Sequence, residues 1–447
     1  MKQLCVISCP IDTYSGYGAR SRDLFKALYE LKKEDWEFQI LSQRWGVTPW
    51  GYIEANKEEW SWVNPMINTS GQLHRQPDVW IQITVPNEFQ PVGKYNIGFT
   101  AGIETTICDA SWVEGVNRMN ITLVSSQHSK KVFQTSQFEK RDPQGNVVAQ
   151  IRLEKPVEVL FEGVDLNKYF YIEDQDLEET DLVQALDDID ESFCFLFVGH
   201  WLQGEIGEDR KNTGLMLKTF LETFQGKKEK PALILKTSGA GASIMDRYEM
   251  LKKIDRIRES VGGDLPNVYL LHGEISDQDM NALYNHKKVK AMFNLTKGEG
   301  FGRPILEFAM AKKPIIVSAW SGHMDFLTQN LTCLLGGELK NVHPSAVVQN
   351  MILAESQWFS PDVNQAKHYL KEVYENYKKY VELAKQQSYQ CKTNFNYGKM
   401  KELLNTHLEK VPKQVQLKLP QLKKVDLPQL KKVELPALKK IELPKLK

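Results

Sequence analysis

Glu299 and Glu307 lie eight residues apart on either side of a glycine-rich bend, which suits a ligand with phosphate and hydroxyl groups. The segment follows a predicted strand, Ala291–Asn294, and opens a helix at Pro304, which places Glu307 on the first turn. Glycines let the backbone approach a ligand, and the free amides of a helix start favour a diphosphate. A carboxylate can accept both hydroxyls of a ribose or hexose diol. The alternative is a capping glutamate beside an ordinary turn loop.

Two basic residues, Arg210 and Lys211, follow the predicted first strand of a second sheet, Phe193–Val198. Ligands of open α/β sheets bind outside the carboxyl ends of the strands, so both cations can reach a phosphate there. The alternative is a solvated helix start, which is the usual environment of a basic pair.

A second glycine loop, Ser15–Gly18, follows the predicted strand Leu4–Ser8 and opens a helix. It matches a dinucleotide-binding loop only in part, because Ser21 stands where the third glycine is expected. No acidic residue ends the second predicted strand, where a carboxylate would bind the ribose. NAD is therefore not expected as a cofactor. A plain tight turn is the alternative to a phosphate-binding role for this loop.

Short apolar runs alternate with helical patterns along most of the chain, which predicts an α/β protein with two Rossmann-like, doubly wound domains. Two such sheets that face each other form one shared cleft. We expect a first domain at 1–170, a second domain at 171–363 and C-terminal helices at 364–410, which pack back toward the first domain. The helical patterns in this last part are Asn364–Lys385 and Met400–Leu408.

A repeat tail is expected at 411–447, where an octapeptide of the type Leu-Pro-Gln-Leu-Lys-Lys-Val-Asp recurs and its prolines exclude a continuous helix. The tail contains ten lysines against Asp426, Glu434 and Glu442, so its net charge is +7 and that of the remaining chain is −7. One interpretation is a flexible, solvated tail. The other is an extended strip that docks on the protein's own body, a partner subunit or an anionic surface such as nucleic acid.

Composition describes an ordinary globular protein, with 42% hydrophobic and 26% charged residues. Its 57 basic and 57 acidic side chains balance, so net charge favours neither nucleic acid nor membrane as a partner. The six cysteines are scattered without metal-ligand spacing, and we expect reduced, mostly buried thiols and a cytoplasmic location. No apolar stretch approaches the roughly 20 residues of a membrane span, and no signal peptide is expected.

The segment 298–327 closely resembles the donor-site signature of the family-four retaining glycosyltransferases, which have the GT-B fold. The resemblance covers residues 1–410 in order and is strongest over 193–330. It implies that Glu299 contacts the transferred sugar and that Glu307 contacts the ribose hydroxyls. It also implies donor contacts by Gly16, Gly18, Arg210, Lys211 and the amides of Gly300, Phe301 and Gly302. Lys236 and Ile275 resemble positions that line the pocket of the nucleotide base.

This chain departs from the family pattern at two positions. An arginine often follows the glycine at the end of the first strand of the second domain, and this chain has His200 there, so the phosphate contact of that arginine is not carried over. Many relatives carry a histidine near Glu104, within a stretch that resembles the acceptor side of the family. We expect Glu104 to orient the acceptor or to accept its proton.

The resemblance implies a retaining glycosyltransferase that moves a hexose or pentose from a nucleotide-diphosphate-sugar donor to an acceptor. It implies no metal and no other cofactor, because helix dipoles and basic side chains stabilise the diphosphate. The acceptor stays open among a glycan, a lipid-linked glycan, a protein and a modified DNA base, and the lysine-rich tail favours an anionic one. Two rival functions also stay open: a sugar-nucleotide epimerase or hydrolase on the same fold, and a non-catalytic nucleotide-sugar-binding scaffold that acts through its repeat tail.

Overall fold

Two six-stranded parallel sheets, each covered by helices, organise the chain and confirm the predicted α/β class. The computed structural model describes residues 2–239 and 241–413. Residues 414–447, which include most of the predicted repeat tail, lie outside the described residues. We call residues 2–162 together with 397–411 the first lobe, and residues 163–394 the second lobe.

The first lobe is built on the amino-terminal sheet. Its strands are β1 (Gln3–Cys9), β2 (Trp36–Ser42), β3 (Val79–Ile83), β4 (Tyr95–Thr100), β5 (Ile121–Val124), β6 (Phe138–Arg141), β7 (Val147–Ile151) and β8 (Val157–Val159). Its helices up to this point are α1 (Gly16–Lys32), α2 (Tyr52–Ala55), α3 (Lys57–Trp60), α4 (Ala110–Asn117) and α5 (Gln127–Thr135). The parallel sheet has the order β2-β1-β3-β4-β5-β8, and β6 and β7 form a separate antiparallel hairpin.

Strands of this sheet are apolar along their length because helices cover both faces. Consecutive side chains of β1 point to opposite faces, so they enter two different cores. Ile7 packs in the core that contains Phe25 of α1, whereas Val6 packs in the core that contains Trp112 of α4. This packing fixes the loops that leave the carboxyl ends of the strands along one edge of the sheet.

The second lobe repeats the arrangement. Its strands are β9 (Cys194–Val198), β10 (Ala232–Lys236), β11 (Val268–Leu271), β12 (Val289–Asn294), β13 (Ile315–Ser318), β14 (Cys333–Leu335), β15 (Gly337–Asn341) and β16 (Gln357–Pro361). Its helices before the C-terminal part are α6 (Asp181–Asp187), α7 (Thr213–Phe224), α8 (Ile244–Val261), α9 (Asp277–Asn285) and α10 (Arg303–Ala309). The sheet order is β11-β10-β9-β12-β13-β14, and β15 and β16 form an antiparallel hairpin that the sequence did not indicate.

Three helices close the described chain. They are α11 (Val363–Glu375), α12 (Tyr377–Asn394) and α13 (Tyr397–Leu408). The helical pattern predicted as one region over 364–385 is interrupted at Asn376, whose backbone leaves the helical range at φ −117° and ψ 33°. Met400, Leu404 and Leu408 of α13 lie in the hydrophobic core of the first lobe, so the last described helix packs on the lobe where the chain begins.

The chain passes between the two lobes twice, near Gly163 and near Asn396, and these two crossings lie side by side. Val164 donates its N–H to the carbonyl of Phe395 at 2.9 Å, and Tyr397 donates to the carbonyl of Val164 at 2.8 Å. A Cβ added to Gly163 would lie 2.5 Å from the carbonyl oxygen of Asn396, so no side chain fits between the two crossings. The domain boundary expected after residue 170 stays a prediction, although Val164 already packs in the core of the second lobe.

All six cysteines are buried and unpaired, as expected from their scattered positions. Among the helices of the described residues, none combines the length and the apolar character needed to cross a membrane.

Arg20 offers a test of how the first lobe holds the loop after β8. Its buried guanidinium donates to the carbonyls of Leu160 at 2.5 Å and Phe161 at 3.0 Å. Arg20→Met leaves both carbonyls without this donor, and we expect a loss of about 3 kcal/mol in unfolding free energy, measured by urea denaturation. Lys33→Met, at the exposed end of α1, is the control and should change stability by less than about 0.5 kcal/mol. Equal stability of both variants would contradict the assignment.

Candidate functional site

A cavity of about 1070 Å³ opens between the carboxyl ends of the two sheets. Its wall contains every residue that the sequence predicted for the site except Gly18. These residues are Gly16, Glu104, Arg210, Lys211, Lys236, Ile275, Glu299, Gly300, Phe301, Gly302 and Glu307. Loops from both lobes therefore bring residues far apart in the chain to one cavity, and their individual roles stay predictions.

The bend between β12 and α10 requires glycines because the backbone of the first lobe lies directly against it. A Cβ added to Gly298 would lie 2.0 Å from the carbonyl oxygen of Glu104, and one on Gly300 would lie 2.6 Å from that of Ala101. Gly302 has a φ of +95°, in the region that favours glycine. The bend thus packs on the loop that follows β4, which is why the two lobes meet here.

Backbone N–H groups of Gly300, Phe301 and Gly302 donate to no acceptor among the described residues. The Phe301 ring is buried and packs on Phe326, with ring centroids 5.1 Å apart, which holds the bend in place. Three consecutive free N–H groups can donate to one anion.

Glu299 forms a buried ion pair at the centre of the cavity wall. Its two carboxylate oxygens lie 2.6 and 2.7 Å from Nζ of Lys211, and Oε2 lies 3.5 Å from Nη1 of Arg210. Burial acts to raise the pKa of Glu299, but Lys211 and Arg210 outweigh it and hold the pKa at about 2. Burial lowers the pKa of Lys211, against the opposing effect of Glu299. The carboxylate is therefore ionised at neutral pH.

Glu104 reaches the same cluster from the first lobe. Its carboxylate lies 3.8 Å from Nη1 of Arg210, whose Nη1 also donates to the carbonyl of Gly298 at 2.9 Å. The side chain of Glu104 is 31% exposed, so it remains open to a ligand in the cavity. Arg210 thus lies between one glutamate of each lobe.

Glu307 lies one turn further along α10 than the sequence predicted. It is the fifth residue of α10 and belongs to the second turn, because the helix begins at Arg303. Nε of Arg303 donates to Oε1 of Glu307 at 2.8 Å, and the same guanidinium pairs with Asp23 of α1. Burial raises the pKa of Glu307 to about 7, against the opposing effect of Arg303. Glu307 nevertheless contributes to the cavity wall, as does Glu299.

The two glycines of the amino-terminal loop differ in their surroundings. Gly16 opens α1 at the cavity, and an added Cβ would meet nothing within 4 Å. Gly18 is buried outside the cavity wall, and its Cβ would lie 2.2 Å from the carbonyl oxygen of Thr13. This geometry gives no support to the donor contact expected of Gly18. Its hydrogen atom instead allows α1 to pack on the loop after β1.

Lys236 and Ile275 border another part of the cavity. Lys236 ends β10 and donates from Nζ to the carbonyl of Gly273 at 2.6 Å. Burial lowers the pKa of Lys236, against the opposing effect of Glu274. The donor contact expected of these two residues stays a prediction.

The sequence did not indicate the contact between Asp23 and Arg303, which joins the two lobes. Arg303 lies four residues before Glu307, and this spacing is a local signal for a helical ion pair. Asp23 is 280 residues away in the chain, so no local pattern connects it to the site.

The described residues contain no group of three or more His, Cys, Asp or Glu side chains placed to hold a metal ion. The positive charge on the cavity wall comes from side chains, among them Arg210, Lys211 and Lys236.

Comparisons with known proteins relate this chain to solved structures. No protein-family model matches the chain, and no curated protein matches its sequence. A glycosyltransferase from Rickettsia africae ESF-5 is 12% identical, with a TM-score of 0.59 over 91% of this chain and 98% of that chain. Anabaena HepE in complex with UDP is 13% identical, with a TM-score of 0.58 over 92% of this chain and 100% of that chain.

Sucrose-phosphate synthase from Thermosynechococcus elongatus is 12% identical, with a TM-score of 0.57 over 92% of this chain and 98% of that chain. The chain therefore has the GT-B fold, as the sequence resemblance implied.

Gly16 and Gly18 provide a matched pair for testing which of the two glycines is required for close packing. Gly18→Ala forces a methyl group against Thr13, and we expect unfolding free energy to fall by about 2 kcal/mol in urea denaturation. Gly16→Ala has open space for its methyl group and should change stability by less than about 0.5 kcal/mol. Equal losses in both variants would show that the packing of Gly18 does not distinguish the two positions.

Proposed function

We propose that this protein is a retaining glycosyltransferase that transfers a hexose or pentose from a nucleoside-diphosphate sugar to an acceptor hydroxyl. The observation that carries the proposal is the convergence of Arg210, Lys211, the ionised Glu299 and the free N–H groups of the bend in one interlobe cavity. A diphosphate leaving group needs such cations and N–H donors. The GT-B fold agrees with this function, and HepE, which shares it, was solved with UDP.

In this proposal the donor diphosphate lies against the glycine bend. The N–H groups of Gly300, Phe301 and Gly302 donate to its oxygens, while Lys211 and Arg210 supply positive charge. Glu299 already holds both cations in position, so binding costs little side-chain entropy. The same groups stabilise the negative charge that develops on the leaving phosphate.

The transfer step joins the acceptor hydroxyl oxygen to the anomeric carbon and breaks the bond between that carbon and the phosphate oxygen. The nucleoside diphosphate leaves with the electron pair, and its oxygen takes up the hydroxyl proton. The acceptor approaches on the face from which the phosphate departs, so the anomeric configuration is retained. Glu104 orients the acceptor hydroxyl from the first lobe, and Glu299 contacts the transferred sugar.

The nucleoside would occupy the part of the cavity near α10. Arg303 binds Oε1 of Glu307, so Oε2 is the oxygen available to ribose hydroxyls. Lys236 and Ile275 would border the base. Each of these assignments follows from the resemblance and from the place of these residues in the cavity wall.

A panel of nucleotide sugars, read by nucleotide release with and without acceptors, tests the proposed function against its rivals. A glycosyltransferase releases nucleotide in step with glycosylated acceptor, and the anomeric configuration of the product, read by NMR, reports retention. A hydrolase releases nucleotide without any acceptor, an epimerase changes the sugar without release, and a scaffold binds without turnover. Any of these three results would replace the proposal.

Lys211→Met serves as the inactive variant in this panel. Losing one charge at the leaving phosphate should lower kcat by about 100-fold. Lys218→Met, on the surface of α7, is the matched control and should keep kcat within about twofold.

The raised pKa of Glu307 predicts a pH dependence of donor binding. At pH 6 the carboxyl is mostly protonated, and at pH 8 it is ionised and can accept ribose hydroxyls. The diphosphate of a nucleotide sugar stays ionised over this range, so the Kd of the donor should rise by about tenfold from pH 8 to pH 6. Glu307→Gln should bind the donor more weakly and with a flat profile in isothermal titration calorimetry. Identical profiles for both proteins would remove the ribose role of Glu307.

A further inference from the structure

The side of the cavity that the first lobe provides is largely aromatic. The aromatic residues on this wall are Tyr14, Tyr17, Trp45, Tyr52, Trp60 and Trp112. The site that the sequence predicted uses none of them, and the proposed donor contacts lie mainly on the opposite lobe. Trp60 and Trp112 are buried in the cores of the first lobe, so the other four rings are the ones that a second substrate can reach.

Trp45 is the best placed of these aromatic residues. It stacks on Tyr17, with ring centroids 4.0 Å apart and an angle of 23° between the ring planes. The Tyr17 hydroxyl accepts the N–H of Ala101 at 3.1 Å, and the carbonyl of Ala101 lies against Gly300 of the bend. The stacked pair thus lies next to the bend that carries Glu299.

Backbone hydrogen bonds fix the loop that carries Trp45. Tyr14 donates to the carbonyl of Pro49 at 3.0 Å, and Gly51 donates to that of Asp12 at 3.0 Å. Thr48 donates to the carbonyl of Trp45 itself from both its N–H and its hydroxyl, at 3.1 and 2.6 Å. Trp45 is half-buried and lines the cavity, so its flat indole ring is both fixed in position and accessible to a ligand.

The first lobe contributes little positive charge to the cavity, and Lys168 of the second lobe, which also lines it, pairs with Glu59 and Asp277. Among the described residues of the first lobe that line the cavity, Arg22 is the only cation. Its guanidinium donates to the carbonyls of Ile11 and Thr13 at 2.8 and 2.9 Å, and its Cζ lies 3.4 Å from the ring centroid of Tyr52. These contacts occupy the guanidinium of Arg22, so it is not free to bind an anion.

Three carboxylates of the first lobe face the same cavity: Asp23, Glu104 and Glu162. Asp23 pairs with Arg303 and Glu162 accepts the Ser125 hydroxyl at 3.0 Å, so Glu104 is the most open of the three. Carboxylates repel phosphate and accept hydroxyls.

We propose that the acceptor is a neutral sugar, whose ring stacks on Trp45 and whose reacting hydroxyl is held by Glu104; this inference rests on the proposed function. The apolar C–H face of a sugar ring matches a flat aromatic side chain, and its hydroxyls match carboxylates. A phosphorylated sugar or a nucleic acid requires cations at this wall, and Arg22 is already bonded. A neutral glycan is therefore favoured over the anionic acceptor that the tail suggested.

The donor for the test is the nucleotide sugar of the panel that binds most tightly in isothermal titration calorimetry. Its transfer to neutral mono- and oligosaccharides is compared with transfer to glucose 6-phosphate and to single-stranded DNA, using the full-length protein. We expect glycosylated product, detected by mass spectrometry, with neutral sugars only. Transfer to an anionic acceptor, or donor consumption that no neutral sugar increases, would overturn the inference. Absence of donor turnover under every condition would instead refute the proposed function.

Substitutions at Trp45 test the stacking itself. Trp45→Leu removes the flat ring and should raise KM for the neutral acceptor by about tenfold, whereas Trp45→Phe should restore most of it. The Kd of the donor should stay unchanged in both variants, which also shows that the site is folded. Trp50→Leu, in the same loop but outside the cavity wall, is the matched control and should leave KM within about twofold. An unchanged KM in Trp45→Leu would exclude the stacking role.

Discussion

The buried ion pair between Lys211 and Glu299 is the interaction on which the cavity depends. Removing two charges from water costs several kcal/mol, and only close geometry and further hydrogen bonds offset this cost. The geometry is close, because both carboxylate oxygens of Glu299 lie within 2.7 Å of Nζ of Lys211, and Arg210 adds a second cation at 3.5 Å. Ser321 accepts the backbone N–H of Glu299 at 2.8 Å, and Asn212, with a φ of 56°, turns the chain directly after Lys211. The loop before α7 and the bend before α10 are thereby held against each other. A ligand that competes for these cations enters a site whose charges are already arranged.

Much of the site could be predicted from the sequence because its signals are local. Glu299 and Glu307 lie eight residues apart around glycines, and the basic pair lies in the loop that follows its predicted strand. Parallel strands bring their carboxyl ends to one edge of a sheet, so local signals of this kind combine into one cavity without knowledge of long-range contacts. The alternation of strands and helices identified both sheets for the same reason.

What the sequence could not indicate depends on contacts between distant segments. Trp45 becomes part of the cavity wall only because its loop folds back on the loop after β1, and that return has no motif. Gly18 follows the pattern of a phosphate-binding glycine, yet a carbonyl from its own loop fills the space beside it. Asn376 interrupts a periodic apolar pattern that continues through it, so periodicity alone joins two helices into one. Burial of Glu307 likewise follows from packing rather than from its position in the motif.

The paired crossings at Val164 and Asn396 have a mechanical consequence. Two chain segments that are hydrogen-bonded to each other connect the lobes at one place, so they define a hinge axis between the lobes. Sliding or twisting one lobe against the other would break the hydrogen bonds between these segments, whereas rotation about the hinge axis preserves them. The glycine bend against Ala101 and Glu104, and the pair between Asp23 and Arg303, also join the lobes, so any rotation about this axis must separate them.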